Sequence, residues 1–295
     1  MPSLKEVRNR ITSVSSTQQI TSAMKMVSAA KLRRAQDAII KLRPYAEKLG
    51  EILSNLTGNL DAAEGGAYAE QRNASKVLIV VISSNRGLAG AFNSNVIKAA
   101  RELVNSKYAN QFASGNVSWI SIGKKSSDFL TKLKYNVLST HNEVYDGVSY
   151  EKVAQVAQRI MDGFIAKEFD RVEIIYNRFK NAAVQILTTE QFLPVSNEGQ
   201  ALRNEKKTSV EYIFEPDQKT IVQELIPKSL KTQLYKAVLD SIAAEHGARM
   251  TAMNKATDNA KELLKELKLT YNKARQASIT NEILEIVGGA EALNA

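Results

Sequence analysis

The chain has 295 residues, 44 % hydrophobic and 24 % charged, the composition of a folded globular protein with room for one or two domains. It has no Cys and only two His, which excludes disulfide scaffolds, thiolate nucleophiles, Cys-ligated zinc and a multi-histidine metal site within one chain. The formal net charge is +9, and residues 1–57 hold +6 of it, ten Lys/Arg against four Asp/Glu; such a bias fits an acidic partner surface, or simply a solvated helix face.

No apolar run approaches the roughly 20 residues that span a bilayer, and the opening MPSLKEVRNRITS has no signal-peptide run. A cytoplasm-like compartment is therefore expected. From Ser3 to Arg43 there is neither Gly nor Pro. Ser3 and Glu6 fit a capping box that opens a helix. Apolar residues then recur at Leu4, Val7, Ile11 and Val14. They slip to Ile20, Met24 and Val27, and resume at Ala35, Ala38, Leu42, Tyr45, Leu49, Ile52 and Leu56. A seam this narrow predicts pairing with one other helix, and the slip resembles a stutter that unwinds a supercoil locally. Pro44 is expected to kink or interrupt the helix. The segment 58–75 reads as a linker.

The middle of the chain changes period. KVLIVVI (76–82) is a continuous β-branched run bounded by turn residues, the pattern of a buried parallel strand. NVSWISI (116–122), RVEIIY (171–176), AVQILTT (183–189) and VEYIF (210–214) are further strand candidates. Residues 94–106, 124–134 and 149–168 read as helices, the last with Val153, Val156, Ile160 and Phe164 on one face. This alternation predicts a Rossmann-like α/β domain over 76–215, with the polar stretch 196–208 as a loop.

After Pro227, a good first-turn residue, the chain again lacks breakers apart from Gly247 until Gly288-Gly289. Leu230, Leu234, Val238, Ile242, Met250, Met253, Ala260, Leu263, Leu267, Tyr271, Ala274, Ile283 and Val287 mark a second long seam. Sixty helical residues span roughly 90 Å, more than a globular domain of this size uses. The two ends, 1–57 and 216–295, are therefore expected to form an antiparallel two-helix coiled coil, with the α/β domain inserted between them. Met24 and Met26 would then lie near Met250 and Met253, as unbranched filler of an irregular seam.

Chemistry-bearing motifs are sparse. The turn SSNRGLAGAFNS (83–94) stands where α/β folds bind phosphate, yet it lacks both GxxxxGK[ST] and GxGxxG. Gly87 and Gly90 are more simply read as allowing a tight turn. A nucleotide-binding enzyme using this turn is one alternative. His141 lies near Glu143 and Asp146, where acid–base work is conceivable but a surface loop is the plainer reading. His246 beside Glu245 reads as a helical surface pair. A nucleic-acid-binding coiled coil using the basic first helix is a further alternative, disfavoured because its cations interleave with seam positions and no aromatic platform accompanies them.

LKEVRNRITSVSSTQQITSAMKMVSAAKLRRAQ (4–36) resembles the first helix of gamma subunits of F-type ATP synthases. ATDNAKELLKELKLTYNKARQASITNEILEIVGGAEAL (256–293) resembles their last, with Ile279, Thr280, Glu282, Glu285, Gly289 and Ala290 at its signature positions. The SNRGLAGAFN turn matches as well. The resemblance implies a rotary shaft standing inside a ring of alpha and beta subunits that hold the nucleotide sites. It implies an α/β foot on the membrane-embedded c ring beside the epsilon subunit, one copy per complex, and neither cofactor nor catalytic site of its own. It also implies roles for single residues. Arg275 and Gln276 match polar contacts to an acidic beta-subunit loop. Met24 matches a coupling-sensitive position near the beta subunits, and Arg249, Thr280 and Glu282 resemble positions that interact functionally with it, so a lysine at Met24 would place a cation beside these groups and acidic partner loops. Tyr212 and Phe214 match foot residues facing the c ring. Chloroplast members carry a regulatory cysteine pair that this chain lacks, and a bacterial member at the cytoplasmic face of the inner membrane is expected.

Overall fold

A computed structural model describes residues 3–57, 67–195 and 218–294. The strand expected at 210–214, the loop at 196–208, residues 58–66 of the expected 58–75 linker, and Tyr212 and Phe214 lie outside the described residues. The chain divides into two compact units. One combines residues 1–28 with 250–295, and the other spans residues 29–249.

Helix α1 covers Leu4–Thr57. Its start is set by Ser3, whose Oγ accepts from the Glu6 amide at 3.2 Å, while the Ser3 carbonyl takes the first helical bond from Val7. Contrary to the expected interruption, α1 runs unbroken through Pro44. The ring removes one donor, and the carbonyl it orphans belongs to Ile40, which is exposed, so water can satisfy it.

Among the described residues of the larger unit, a five-stranded sheet has the order β3-β2-β1-β4-β5. Its strands are β1 (Val77–Ile82), β2 (Val117–Ile122), β3 (Val137–Thr140), β4 (Arg171–Phe179) and β5 (Gln185–Leu193). The first four are parallel, and every residue of the central β1 is buried, as its unbroken apolar run requires. Val77, Ile79 and Val81 share a core with Val96, Ala100 and Val104 of α2 (Phe92–Lys107), with Trp119, and with Leu130 of α4 (Lys124–Lys132). A short α3 (Ala109–Ala113) leads from α2 to β2. Helix α5 (Tyr150–Ile165) is capped by Ser149 and buries the expected face, Val153, Val156, Ile160 and Phe164, together with Met161.

Two strands go beyond the sequence reading. β5 is antiparallel to β4, because only Lys180–Val184 join them and a parallel crossover needs a dozen residues or more. The Asn181 side chain closes that turn by accepting from the amides of Ala183 and Val184. β3 has no counterpart among the expected strands. It has four residues, buries only alternate ones partly, and enters through Lys134 at φ 56°, so neither an apolar run nor a glycine signals it.

The last helix, α6, covers Gln218–Asn294. It starts well before Pro227, which lies inside it and is not its first-turn residue. Residues up to 249 pack in the larger unit, where Leu230, Leu234, Val238 and Ala243 are buried. Among the described residues no helix is long and apolar enough to cross a membrane.

Candidate functional site

In the smaller unit, α1 and α6 run antiparallel, as cross-helix bonds place Arg8 beside Tyr271, Thr21 beside Thr257 and Lys25 beside Asn254. Burial identifies the seam. On α1 the positions Leu4, Val7, Ile11, Val14, Gln18, Thr21, Lys25 and Ser28 are all buried or half-buried; on α6 so are Met253, Thr257, Ala260, Leu264, Leu267, Tyr271 and Ala274. Both series alternate steps of three and four without a break. The expected stutter is therefore absent. Ile20 and Val27 are 59 % and 57 % exposed, whereas Thr21 and Ser28 are 8 % and 2 % exposed. The register of the seam is continuous; its chemistry changes, from apolar to polar.

This polar layer is bonded across the helices. The Thr257 hydroxyl donates to Thr21 Oγ1 at 2.8 Å, and Lys25 Nζ donates to Asn254 Oδ1 at 2.6 Å. The Thr21 hydroxyl donates in turn to the Gln18 carbonyl at 3.0 Å, and Ser28 donates to the Met24 carbonyl at 2.7 Å. A buried polar pair penalises any axial slip that leaves a hydroxyl without a partner, so it fixes register where apolar layers tolerate neighbouring alignments. Sequence reading misses Thr21, Lys25, Asn254 and Thr257 because it follows hydropathy; counting the 3-4 spacing from Leu4 regardless of polarity reaches them.

Past Ala274 the helix leaves its partner behind. Pairing of Arg8 with Tyr271 puts Leu4 level with about residue 275, and from Ile279 to Ala290 every residue is exposed. Ile279, Ile283, Leu284, Ile286 and Val287 are between 49 % and 71 % exposed, an apolar surface on a single helix. Arg275, Gln276, Thr280 and Glu282 lie at the base of this stretch, all exposed. Among them only bonds along the helix occur, Thr280 to the Gln276 carbonyl and Ser278 to Glu282. Met24 is half-buried and level with Asn254, so the rise of the helix separates it from Thr280 by roughly 39 Å. A lysine at Met24 would thus not stand beside Thr280 and Glu282.

Arg249 belongs to the larger unit and is buried there. Its guanidinium bonds Glu245 at 2.5 Å, and its other terminal nitrogen donates to the carbonyls of Arg86 and Gly87 at 3.1 and 3.2 Å. Burial pushes the Glu245 carboxyl up, and Arg249 opposes that shift. Burial, with the charges of Arg249 and Lys31, holds His246 down at about 4, so it is neutral near pH 7. The expected surface pair is instead a half-buried neutral imidazole next to a buried ion pair.

The glycine turn is correspondingly full. Asn93 Oδ1 accepts from the Ser84 amide at 3.0 Å, and Asn85 Oδ1 accepts from the Lys124 amide. Gly90 takes φ +58°, as a tight turn requires, but the other left-handed residue is Leu88, not Gly87. Over the turn, Ala89 and Phe92 pack with Ala244 of α6, and a Cβ on Gly247 would lie 3.2 Å from the backbone of Ala182. The crevice beyond the carboxyl end of β1, where α/β sheets hold phosphates, is occupied by this chain's own last helix.

His141 does align with neighbours. Its Nε2 lies 3.0 Å from Ser139 Oγ and its Nδ1 3.1 Å from Glu143. The cavity that Ser139 lines measures about 30 Å³, room for one water and not for an acyl substrate. The alignment is therefore a surface hydrogen-bond relay at the edge strand.

A family model described as ATP synthase matches residues 3–293. The chain is 60 % identical over 295 residues to the ATP synthase gamma chain of Flavobacterium johnsoniae, and 56 % identical over 294 residues to that of Cytophaga hutchinsonii, covering all of each protein. Among solved structures, it resembles a chain of the Euglena gracilis mitochondrial ATP synthase (OSCP/F1/c-ring, rotational state 3) with TM-score 0.70 and 26 % identity, over 98 % of this chain and 94 % of that one. A chain of the Tetrahymena thermophila mitochondrial ATP synthase central stalk/c-ring matches with TM-score 0.58 and 25 % identity, over 80 % of this chain and 99 % of that one.

Proposed function

The chain belongs to the ATP synthase gamma family, and from that premise we propose that it is the central rotary shaft of a proton-translocating F-type ATP synthase. It couples rotation of a membrane-embedded c ring to the catalytic sites of alpha and beta subunits, and it makes or breaks no bond itself. Its further partner is the epsilon subunit, and it works as one copy per complex, peripherally, on the cytoplasmic side of a bacterial inner membrane.

The observation that carries this reading is the two-helix seam continuing into a single exposed helix. A shaft must hold its axial register under load, and the Thr21–Thr257 and Lys25–Asn254 layer opposes slip. Its end must contact a surrounding ring without gripping one position. The apolar stretch from Ile279 to Val287 offers contacts that are non-directional and equivalent at successive angles. Arg275 and Gln276 below it, and Thr280 and Glu282 interleaved with its apolar residues, supply directional contacts. Rotation biases a catalytic site only if the contact free energy differs between that site's states, and charged and amide groups supply such differences. Arg275 suits a bidentate carboxylate partner, which a lysine would not reproduce. The nucleotide-enzyme alternative is disfavoured by Arg249 and Ala244, which fill the turn a phosphate would need.

The test is reconstitution with alpha and beta subunits. The chain alone should show no ATP turnover, and adding it should raise steady turnover of the alpha–beta mixture many-fold. Turnover by the isolated chain, or no gain on mixing, overturns the assignment. In the assembled, membrane-bound complex, Met24→Lys should retain assembly and lose proton-pumping efficiency per ATP.

A further inference from the structure

Resting on that assembly role, we propose that the groove between α2 and α4 is the docking site for an acidic amphipathic helix of another subunit. The two helices contribute Val96, Ala100 and Val104 on one side and Leu130 on the other to a single core cluster, so they lie on the same face of the sheet. Between their outer surfaces runs a groove of about 690 Å³, open to solvent, with Ile97 and Phe129 half-buried at its floor.

Its rim is charged unequally. Lys98, Arg101, Lys125 and Lys132 line it against only Glu102 and Asp128. Glu102 is already 3.7 Å from Lys98, which leaves the net excess on the remaining cations. The size is that of a cleft able to bury a drug-sized body. An open trough with an apolar floor matches one stripe of a helix, anchored by side chains at i, i+3 or i+4, and i+7. The excess of rim cations selects a partner whose flanking positions are Asp and Glu, through complementary fields that steer encounter and fix register. A small anionic amphiphile would leave much of its apolar body in water in so open a site, so a helix that covers the groove fits better.

The chain has no Cys, so one introduced thiol is unique. Asn105→Cys at the rim, carrying benzophenone maleimide, would be assembled into the whole membrane-bound complex, irradiated, and its adducts mapped by mass spectrometry. Ile283→Cys on the exposed tip serves as the parallel probe. The expected result is an adduct from Asn105→Cys within a helical segment of another subunit that has apolar i, i+4 spacing and an acidic excess. Its yield should fall at least ten-fold with Ile97→Trp, which plugs the floor, and also with Lys125→Glu plus Lys132→Glu, which keeps the test valid if the plug disturbs folding. An adduct to lipid, to a basic segment or to a strand, or no adduct while Ile283→Cys still reacts, overturns the groove proposal and leaves the shaft intact. Silence at both positions overturns the shaft reading itself.

Discussion

Asp240 offers a quantitative check on how α6 packs in the larger unit. It is 6 % exposed, and burial pushes its carboxyl up to about 6, against the opposing charges of Lys236 and Arg178 and with that of Glu190. A folded pKa raised above the unfolded 3.8 means that the native state binds the proton more tightly. The associated stability is complete below about pH 4 and is lost as pH rises through 6. The difference of about 2 units corresponds to roughly 3 kcal/mol. Asp240→Asn removes the charge at every pH. Relative to the parent chain, it should therefore gain roughly 3 kcal/mol more at pH 8 than at pH 4. The two-pH difference cancels any fixed cost of fitting the amide. It also cancels the opposite linkage of His246, whose depressed pKa costs stability as pH falls from 6.5 towards 4 in both proteins. The assay is urea unfolding followed by Trp119, the only Trp, 1 % exposed in the central sheet of the same unit. A gain that is equal at both pH values, or larger in acid, would refute the burial argument.

The polar seam layer and one helix glycine give two further tests. Thr257→Val and Thr21→Val should each weaken amide-exchange protection across residues 250–260 by about 1 kcal/mol, and the double variant should cost less than their sum, by about 0.5–1.5 kcal/mol of coupling; strict additivity would mean that the two hydroxyls do not act as a unit. Gly247→Ala should destabilise the Trp119 transition by about 1–3 kcal/mol, because the new methyl meets the Ala182 backbone at 3.2 Å and that backbone cannot rotate away. Gly288→Ala, with nothing within 4 Å of its Cβ, should instead leave that transition unchanged and raise far-UV helicity.

Much of the architecture follows from local pattern. The buried run Val77–Ile82, the one-sided face of α5 and the long breaker-free ends each carry their own period, and a period of 2 or 3.6 survives in one dimension. Helix termini are harder to read. Pro44 and Pro227 read as boundaries because proline's local cost is visible in sequence, whereas the packing that carries a helix through them is not. The antiparallel β5 is legible in principle from the shortness of Lys180–Val184, but β3 is not, being a half-exposed edge of four residues.

The functional residues divide along the same line. Arg275, Gln276, Thr280 and Glu282 come from motif alone, and their exposure on α6 leaves them available to a partner. By itself, the sequence determined that two long helices pair around an α/β domain, because that follows from spacing and composition. Only the tertiary structure decided that the seam runs through Thr21, Lys25, Asn254 and Thr257, and that Arg249 closes the glycine turn. The reason is that a polar side chain is stable in a buried place only when a specific partner meets it there. That partner lies more than 160 residues away in each case, where no local pattern can announce it.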